Sequence, residues 1–372
     1  MIYLDNAAMM KPRPEVVNAV YEVMTEKWRN PSSVYAKDVR QEIEDARKAV
    51  AKLINAKPSE IHFTSGASES ASILFSSLAF DDYHLYVTEA EHPAVNAWAE
   101  TLRLDTLAVD VHGVVFPCDI PLNNGYEEQN VLFIICANNE VGTIQPMRSF
   151  GKTCRERNFL FATDLTQAFG HIPIDVKEMN IDFAFGSGQK IGGLSGCGFL
   201  YVRSGLEDKI DALVLGGEQD RYKSGTENIT GIVALGVASE CAYHELKNGA
   251  SDYVTKLRDY MIRKILSEIP DTILIGHPTS RLPNNVNIGF GGKDSESIVQ
   301  YLALYDICAS AGSACHTKSV EPSHVLKAMR LSNKYINGSV RFTLSVDNTK
   351  EEIDEVVKVL KQYYESEEIE NG

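Results

Sequence analysis

"FLFATDLTQAFG" at residues 159–170 and "IDFAFGSGQKIGG" at 181–193 decide the architecture of this chain. Each opens on an apolar run without polar alternation and then breaks into polar residues: Asp164 with Gln167 in the first, Ser187, Gln189 and Lys190 in the second. A strand that is apolar almost throughout is covered on both faces, as happens when helices sandwich a sheet. In open sheets of that kind, ligands bind beyond the carboxyl ends of the strands. Asp164 and Lys190, 26 residues apart (190 − 164), are therefore expected at one functional edge.

Five further β-type runs surround these two: "IHFTS" (61–65), "LYVTEA" (85–90), "LAVDVH" (107–112), "VLFIICAN" (131–138) and "GFLYV" (198–202). Helical segments such as "SESASILFSSLAF" (68–80) and "PMRSFGKTCRERN" (146–158) lie between some of them. Upstream, 13–28 has a helical period with Val17, Val20 and Met24 on one face. Residues 38–54 repeat the pattern with Val39, Ile43, Ala46, Val50 and Leu53. The expected fold is α/β, with a mostly parallel seven-stranded sheet and helices on both faces. Beyond about residue 250 a helix at 252–269 precedes strands at 284–290 and 338–345. A closing helix follows, with a capping box at Thr349 and Glu352 and a stripe of Ile353, Val356, Val357 and Leu360. This predicts a large domain at 14–250 and a smaller α+β domain made from 1–13 and 251–372.

Composition narrows the function. The 372 residues are 44% hydrophobic and carry a formal charge of −15, with no basic patch for nucleic acid or anionic membrane. The longest apolar run, "VLFIICA", is far too short to span a bilayer. The start "MIYLDNAAMM" lacks the basic residues of a signal peptide. Seven scattered cysteines without a CxxC pair fit a reducing cytoplasm better than a disulfide framework or a zinc site. Six of them, Cys118, Cys136, Cys154, Cys197, Cys241 and Cys308, read mostly as small core hydrophobes. Cys315 differs. It sits in "DICASAGSACHTKSVEPSHV" (306–325), small and polar residues without period that suit a loop.

The chemistry gathers at three strand ends. In "IHFTSGASESASILF" a strand stops at Thr64, and a Gly-containing turn opens a helix near Ser68 or Glu69. Free N–H groups there form a natural phosphate cradle, although no Walker Gly-Lys-Ser/Thr follows. Asp164 is a carboxylate at a sheet edge. Lys190, between an apolar strand and a glycine run, is a candidate Schiff-base amine. Its glycines do not form the dinucleotide fingerprint, which disfavours a dehydrogenase. A pyridinium partner, a Schiff-base lysine and a phosphate cradle are together what pyridoxal phosphate requires.

With these residues in place, the chain resembles a cysteine desulfurase of the class V aminotransferase family, with the fold-type I pyridoxal phosphate-dependent transferase architecture. The motifs run almost end to end: "YLDNAA" (3–8), "NPSS" (30–33), "FTSGASES" (63–70), "EAEHPAV" (89–95), "NNEVGTIQP" (138–146), "DLTQAFG" (164–170), "SGQKIGG" (187–193), "SGTEN" (224–228), "SAGSACHT" (310–317) and "VRFTLS" (340–345). The resemblance implies that Lys190 anchors the cofactor and moves protons, Asp164 pairs with the pyridine nitrogen, and Gln167 bonds the ring hydroxyl. His92 would stack on the ring and assist proton transfer. Ala67, Ser68, Ser187 and Gln189 would hold the phosphate, and Thr226 would reach the phosphate of a second subunit, which implies a homodimer with shared sites. Asn139 would contact cofactor and substrate, and Arg341 would fork onto the substrate carboxylate.

Cys315, by the same resemblance, takes the sulfur of L-cysteine as a persulfide, releases L-alanine and delivers the sulfur to an acceptor protein. A longer loop of this kind implies iron–sulfur assembly or tRNA thiolation as the destination. The family pattern is altered at Met9, Met10, Ser68, Gln189, Gly193-Leu194-Ser195, Lys223 and His316. A selenocysteine lyase or cysteine lyase on the same scaffold is the alternative. The cofactor residues alone also admit an aminotransferase or a decarboxylase.

Overall fold

The computed structural model describes residues 1–80, 83–122, 129–216, 221–311 and 322–371. A short strand β1 (Ile2–Tyr3) precedes helices α1 (Pro14–Thr25) and α2 (Lys37–Leu53). The central sheet follows, with β2 (Ile61–Thr64), β3 (Tyr83–Thr88), β4 (Asp105–Leu107), β5 (Gln129–Ile135), β6 (Phe159–Asp164), β7 (Phe183–Ser187) and β8 (Gly198–Val202). Between them lie α3 (Ala67–Phe80), α4 (Pro93–Leu102) and α5 (Met147–Arg157). The spatial order is β2-β8-β7-β6-β5-β3-β4. β8 alone runs against its neighbours β7 and β2, and the other pairings are parallel. The expected seven-stranded, mostly parallel sheet is present.

The near-continuous apolar runs have the anticipated cause. Along β5, Val131 and Phe133 enter one buried cluster while Leu132 and Ile134 enter another. β8 divides the same way, Leu200 and Val202 against Phe199 and Tyr201. Side chains alternate between the faces of a strand, so two covered faces demand apolar residues at every position. Fully burying each such side chain contributes about 1.5–3 kcal/mol.

One strand is displaced from its expected place. The run 107–112 predicts a strand, yet pairing with β3 ends at Leu107. Asp110 Oδ1 accepts from the N–H groups of His112 (2.9 Å) and Val114 (2.8 Å), so its side chain turns the backbone out of the sheet.

After the central sheet come α6 (Ile229–Lys247), α7 (Ala250–Glu268), β9 (Thr272–Leu274), β10 (Asn285–Phe290), α8 (Ser295–Ala303), β11 (Ile307–Cys308), β12 (Ser310–Ala311), α9 (His324–Ala328), α10 (Asn333–Ile336), β13 (Ser339–Thr343) and α11 (Lys350–Asn371). An antiparallel sheet has the order β12-β13-β10-β9, and β1 pairs in parallel with β11. The stretch 306–325 is thus not loop throughout, because β11, β12 and the start of α9 fall inside it. A separate cluster buries Leu4, Val286, Ile288, Phe342, Ile353, Val356, Val357 and Leu360. Thr349 and Glu352 form the expected box: Glu352 N donates to Thr349 Oγ1 (3.2 Å) and Thr349 N to Glu352 Oε2 (3.1 Å). Val325, Leu326, Met329 and Ile336 instead pack into the core of the central sheet.

Two readings need correction. Helix α1 buries Val16 and Val23 against the core, while Val17 is 54% and Met24 65% exposed. Both stripes recur at helical spacing, and only packing against α6 selects between them. Among the cysteines, Cys136, Cys154 and Cys197 are buried, but Cys118 is exposed and Cys241 and Cys308 are half-buried. No described helix is long and apolar enough to cross a membrane.

Candidate active site

Strand register builds the site. Thr64 pairs with Gly198 and Gly198 with Ser187, while Phe185 pairs with Asp164 and Asp164 with Ile135. Segments more than a hundred residues apart in sequence therefore end along one sheet edge. α3 starts at Ala67, just past this edge, and the N–H groups of its first turn have no intrahelical partner. The approach is tight: a Cβ added to Gly198 would lie 2.4 Å from Gly186 O and 2.7 Å from Gly66 Cα. A Cβ on Gly66 would lie 4.0 Å from Ser187 Oγ, which places that hydroxyl beside the turn. Glu69 folds back so that its Oε2 accepts from Ser65 N (2.5 Å) and pairs with Lys223 Nζ (2.7 Å). The Lys223 ammonium thus neutralises the carboxylate nearest the helix start.

The acid–base cluster sits on the adjoining strand ends. Asp164, 4% exposed, accepts the Thr166 N–H at 2.7 Å through Oδ1. Burial pushes its carboxyl above the ordinary range, against the opposing pull of His92 and Lys190. Lys190 ends a short turn, Gly188–Lys190, and its Nζ donates to Ala8 O at 2.7 Å. Gln167 Nε2 donates to Ala7 O at 3.0 Å. His92 caps α4, its Nδ1 accepting the Ala94 N–H at 3.1 Å, which leaves the ring proton on Nε2. Burial lowers its pKa, favouring the neutral ring.

The N-terminal segment bridges this cluster to the second sheet. Asn6 Nδ2 donates to Thr343 O (2.7 Å) and Ala7 N to Thr343 Oγ1 (2.9 Å). Met10 N reaches Gln189 O at 3.0 Å, and Arg13 N reaches Gly192 O at 3.0 Å. Arg341 on β13, 2% exposed, donates through Nη1 to Asn139 O and through Nη2 to Asp5 Oδ1, both at 2.9 Å. Among the described residues, its Nε and Asn139 Oδ1 are buried without partners.

Lys190, Asp164, Gln167, His92, Ser187 and the Ala67–Ser68 turn thus meet at one edge, with Gln189 in the Lys190 turn and Asn139 and Arg341 linked beside it. Thr226 is exposed, and among the described residues no hydrogen bond joins it to the others. Cys315 lies outside the described residues. Among those residues, no group of three or more His, Cys, Asp or Glu side chains could hold a metal ion.

Sequence reasoning assigned no role to Glu91, although it lies inside a quoted motif. It is fully buried; its Oε1 accepts from Thr88 Oγ1 (2.7 Å) and Ile135 N (3.0 Å), and its Oε2 has no partner among the described residues. Burial pushes its carboxyl from 4.5 up to about 8. The folded state therefore holds a proton that the unfolded chain releases between those values. The stability Glu91 contributes is fully present below pH 4.5 and is lost as pH rises through about 8, by up to about 1.4 kcal/mol per pH unit. Glu91→Gln should flatten that slope, which urea midpoints at pH 5.5, 7 and 8.5 would show. Equal slopes in the two proteins would contradict it.

The aminotransferase class-V family model matches residues 2–356. A cysteine desulfurase IscS of Methanosarcina thermophila is 42% identical, covering 97% of this chain and 91% of its own. One from Dictyoglomus turgidum is 39% identical, covering 98% and 94%. Among solved structures, a NifS-like protein superposes with a TM-score of 0.89 at 29% identity over 98% of this chain and 99% of its own. The structure of SspA in complex with cysteine superposes at 0.79 with 29% identity, covering 94% of this chain and 100% of its own. The chain belongs to the aminotransferase class-V family.

Proposed function

We propose that this protein is a pyridoxal phosphate-dependent cysteine desulfurase, converting L-cysteine to L-alanine and passing the sulfur through Cys315 to an acceptor protein. The observation that carries the reading is the meeting of Lys190, Asp164, Gln167 and His92 beside an open helix N-terminus, in a chain whose whole-length relatives bear that name. The residues fit the cofactor. The Gly66–Ala67–Ser68 turn with Ser187 and Gln189 offers donors to a phosphate. Asn139 Oδ1, buried without a partner among the described residues, is a polar atom in need of a ligand. When bound, the pyridine ring supplies an electron sink for the carbon bearing the substrate amine.

The chain's own residues then divide the work. Lys190 is the covalent anchor and moves a proton at the substrate Cα. Asp164 would hold a proton on the ring nitrogen, and Gln167 would bond the ring hydroxyl. His92, its pKa lowered by burial and its Nδ1 taken by the Ala94 N–H, would lie against the ring and offer Nε2 for proton transfer. Arg341 and Asn139 take the substrate carboxylate. Cys315, as the thiolate, attacks the substrate sulfur. An S–S bond forms as the C–S bond breaks, and the electron pair stays with Cβ, which takes a proton. Cysteine and one thiol thus become alanine and one persulfide.

The reading extends to assembly and place. Exposed Val17, Tyr21 and Met24 on α1, with Trp28 beyond its end, form an apolar face suited to a second copy of the chain. In such a homodimer, exposed Thr226 serves the partner's phosphate site. The separate core around Leu4, Phe342 and Val357 supports a division into a large domain at 14–250 and a small one from 1–13 and 251–372. Free cysteines support a reducing, cytoplasmic setting, and iron–sulfur assembly is the proposed destination of the sulfur.

The test is alanine and sulfide from L-cysteine with and without a thiol reductant, for the natural chain and Cys315→Ala. Equimolar products and a persulfide by intact mass, with at least a ~100-fold loss in the variant, are expected. Alanine persisting in Cys315→Ala would mean lyase chemistry, with selenocysteine the next substrate to try. No alanine from either protein would refute the reading.

A further inference from the structure

The carboxylate of Asp5 occupies part of the guanidinium edge that a substrate carboxylate needs. In a guanidinium, Nε–H and one Nη2–H lie side by side and grip a carboxylate at two points. On Arg341, Asp5 Oδ1 takes Nη2 at 2.9 Å, Asn139 O takes Nη1 at 2.9 Å, and Nε is buried without a partner among the described residues. One half of the two-point edge is therefore taken, and among those residues the other half is unpaired.

The backbone of Asp5 is also held firmly in that place. It bridges to Thr343, two residues beyond Arg341 on the same strand, and Thr343 N donates to Leu4 O at 2.6 Å. Tyr3 Oη donates to Asp5 O (3.2 Å) and Met9 O (2.6 Å), and the Ala8 and Met9 N–H groups close onto Asp5 O at 3.0 and 3.3 Å. With its backbone fixed in the segment whose Ala7 and Ala8 carbonyls hold Gln167 and Lys190, Asp5 keeps its carboxylate within reach of Arg341 and can move it only by side-chain rotation.

We infer that Asp5 is a specificity-determining residue that sets how tightly the site holds an α-carboxylate, by competing with it for the Nη2 half of the Arg341 edge. The inference rests on Arg341 being the carboxylate ligand. Two anions near one cation repel each other, and the repulsion weakens binding of substrate and product alike. A ligand without the carboxylate escapes this competition.

The test compares L-alanine with L-alaninol, which lacks the carboxylate, by calorimetric titration of the cofactor-loaded protein. Asp5→Asn keeps the shape and one acceptor oxygen but removes the charge. It should tighten L-alanine binding roughly three- to tenfold without tightening L-alaninol. Asp5→Ser should shift the preference in the same direction. Equal weakening of both ligands, or no change in either, would make Asp5 a structural strut and overturn the inference. Arg341→Gln serves as the separate arm. Loss of the preference for L-alanine there upholds Arg341 as the carboxylate ligand, and a preserved preference removes that reading whatever Asp5→Asn does.

Discussion

Lys190→Ala should lower alanine formation from L-cysteine by at least ~10³-fold, because both the covalent anchor and the proton carrier vanish with one amine. The fold should survive. Lys190 ends a short turn whose backbone is fixed independently: Gly193 N donates to Gly188 O, Met10 N to Gln189 O, and the His171 ring bonds Lys190 O at 2.9 Å. The Nζ bond to Ala8 O is one neutral-acceptor contact, of order 1–2 kcal/mol. Lys190→Arg should fail as thoroughly although it keeps the charge, since a guanidinium cannot form the linkage. Alanine assays with melting curves for both variants would check this. Either variant retaining a tenth of the activity would rule out Lys190 as the anchor.

Asp164→Asn should separate function from stability. Asparagine has the same shape and keeps the Oδ1 acceptor for the Thr166 N–H at 2.7 Å. It loses the charge that would keep a ring nitrogen protonated, and activity should fall roughly 10²–10³-fold. The unliganded protein should melt no lower than the natural chain. Burial raises the Asp164 carboxyl, so the folded state resists its ionisation. The stability attached to that proton is present at acid pH and lost as pH rises through the raised value. Removing the charge removes the penalty at neutral pH. A variant melting several degrees lower at pH 7.5 with full activity would reverse the assignment.

These two residues also mark how far sequence reading reached. Asp164 and Lys190 were legible because an apolar strand ending in a charged residue has few local explanations. Glu91 was not, since its anomaly is environmental: full burial, two donors on one oxygen and, among the described residues, none on the other. Asp5 lies 336 residues from Arg341 in sequence, and no local pattern pairs them. Sequence alone does not single out the buried stripe of α1, because Val16 and Val23 recur at the same interval as Val17 and Met24.

By itself the sequence determined the α/β class, six of the seven central strands, the closing helix with its capping box, and the residue types of the candidate site. Each rests on short-range rules: strand and helix periodicity, turn chemistry and capping within a few residues. Tertiary structure alone decided what meets what. β8 running antiparallel sets Thr64, Gly198 and Ser187 abreast, and the N-terminal segment carries Asp5 to Arg341 and Ala8 to Lys190. Such contacts depend on strand order and register, which arise from packing the whole chain around its cores, so no window of residues contains them.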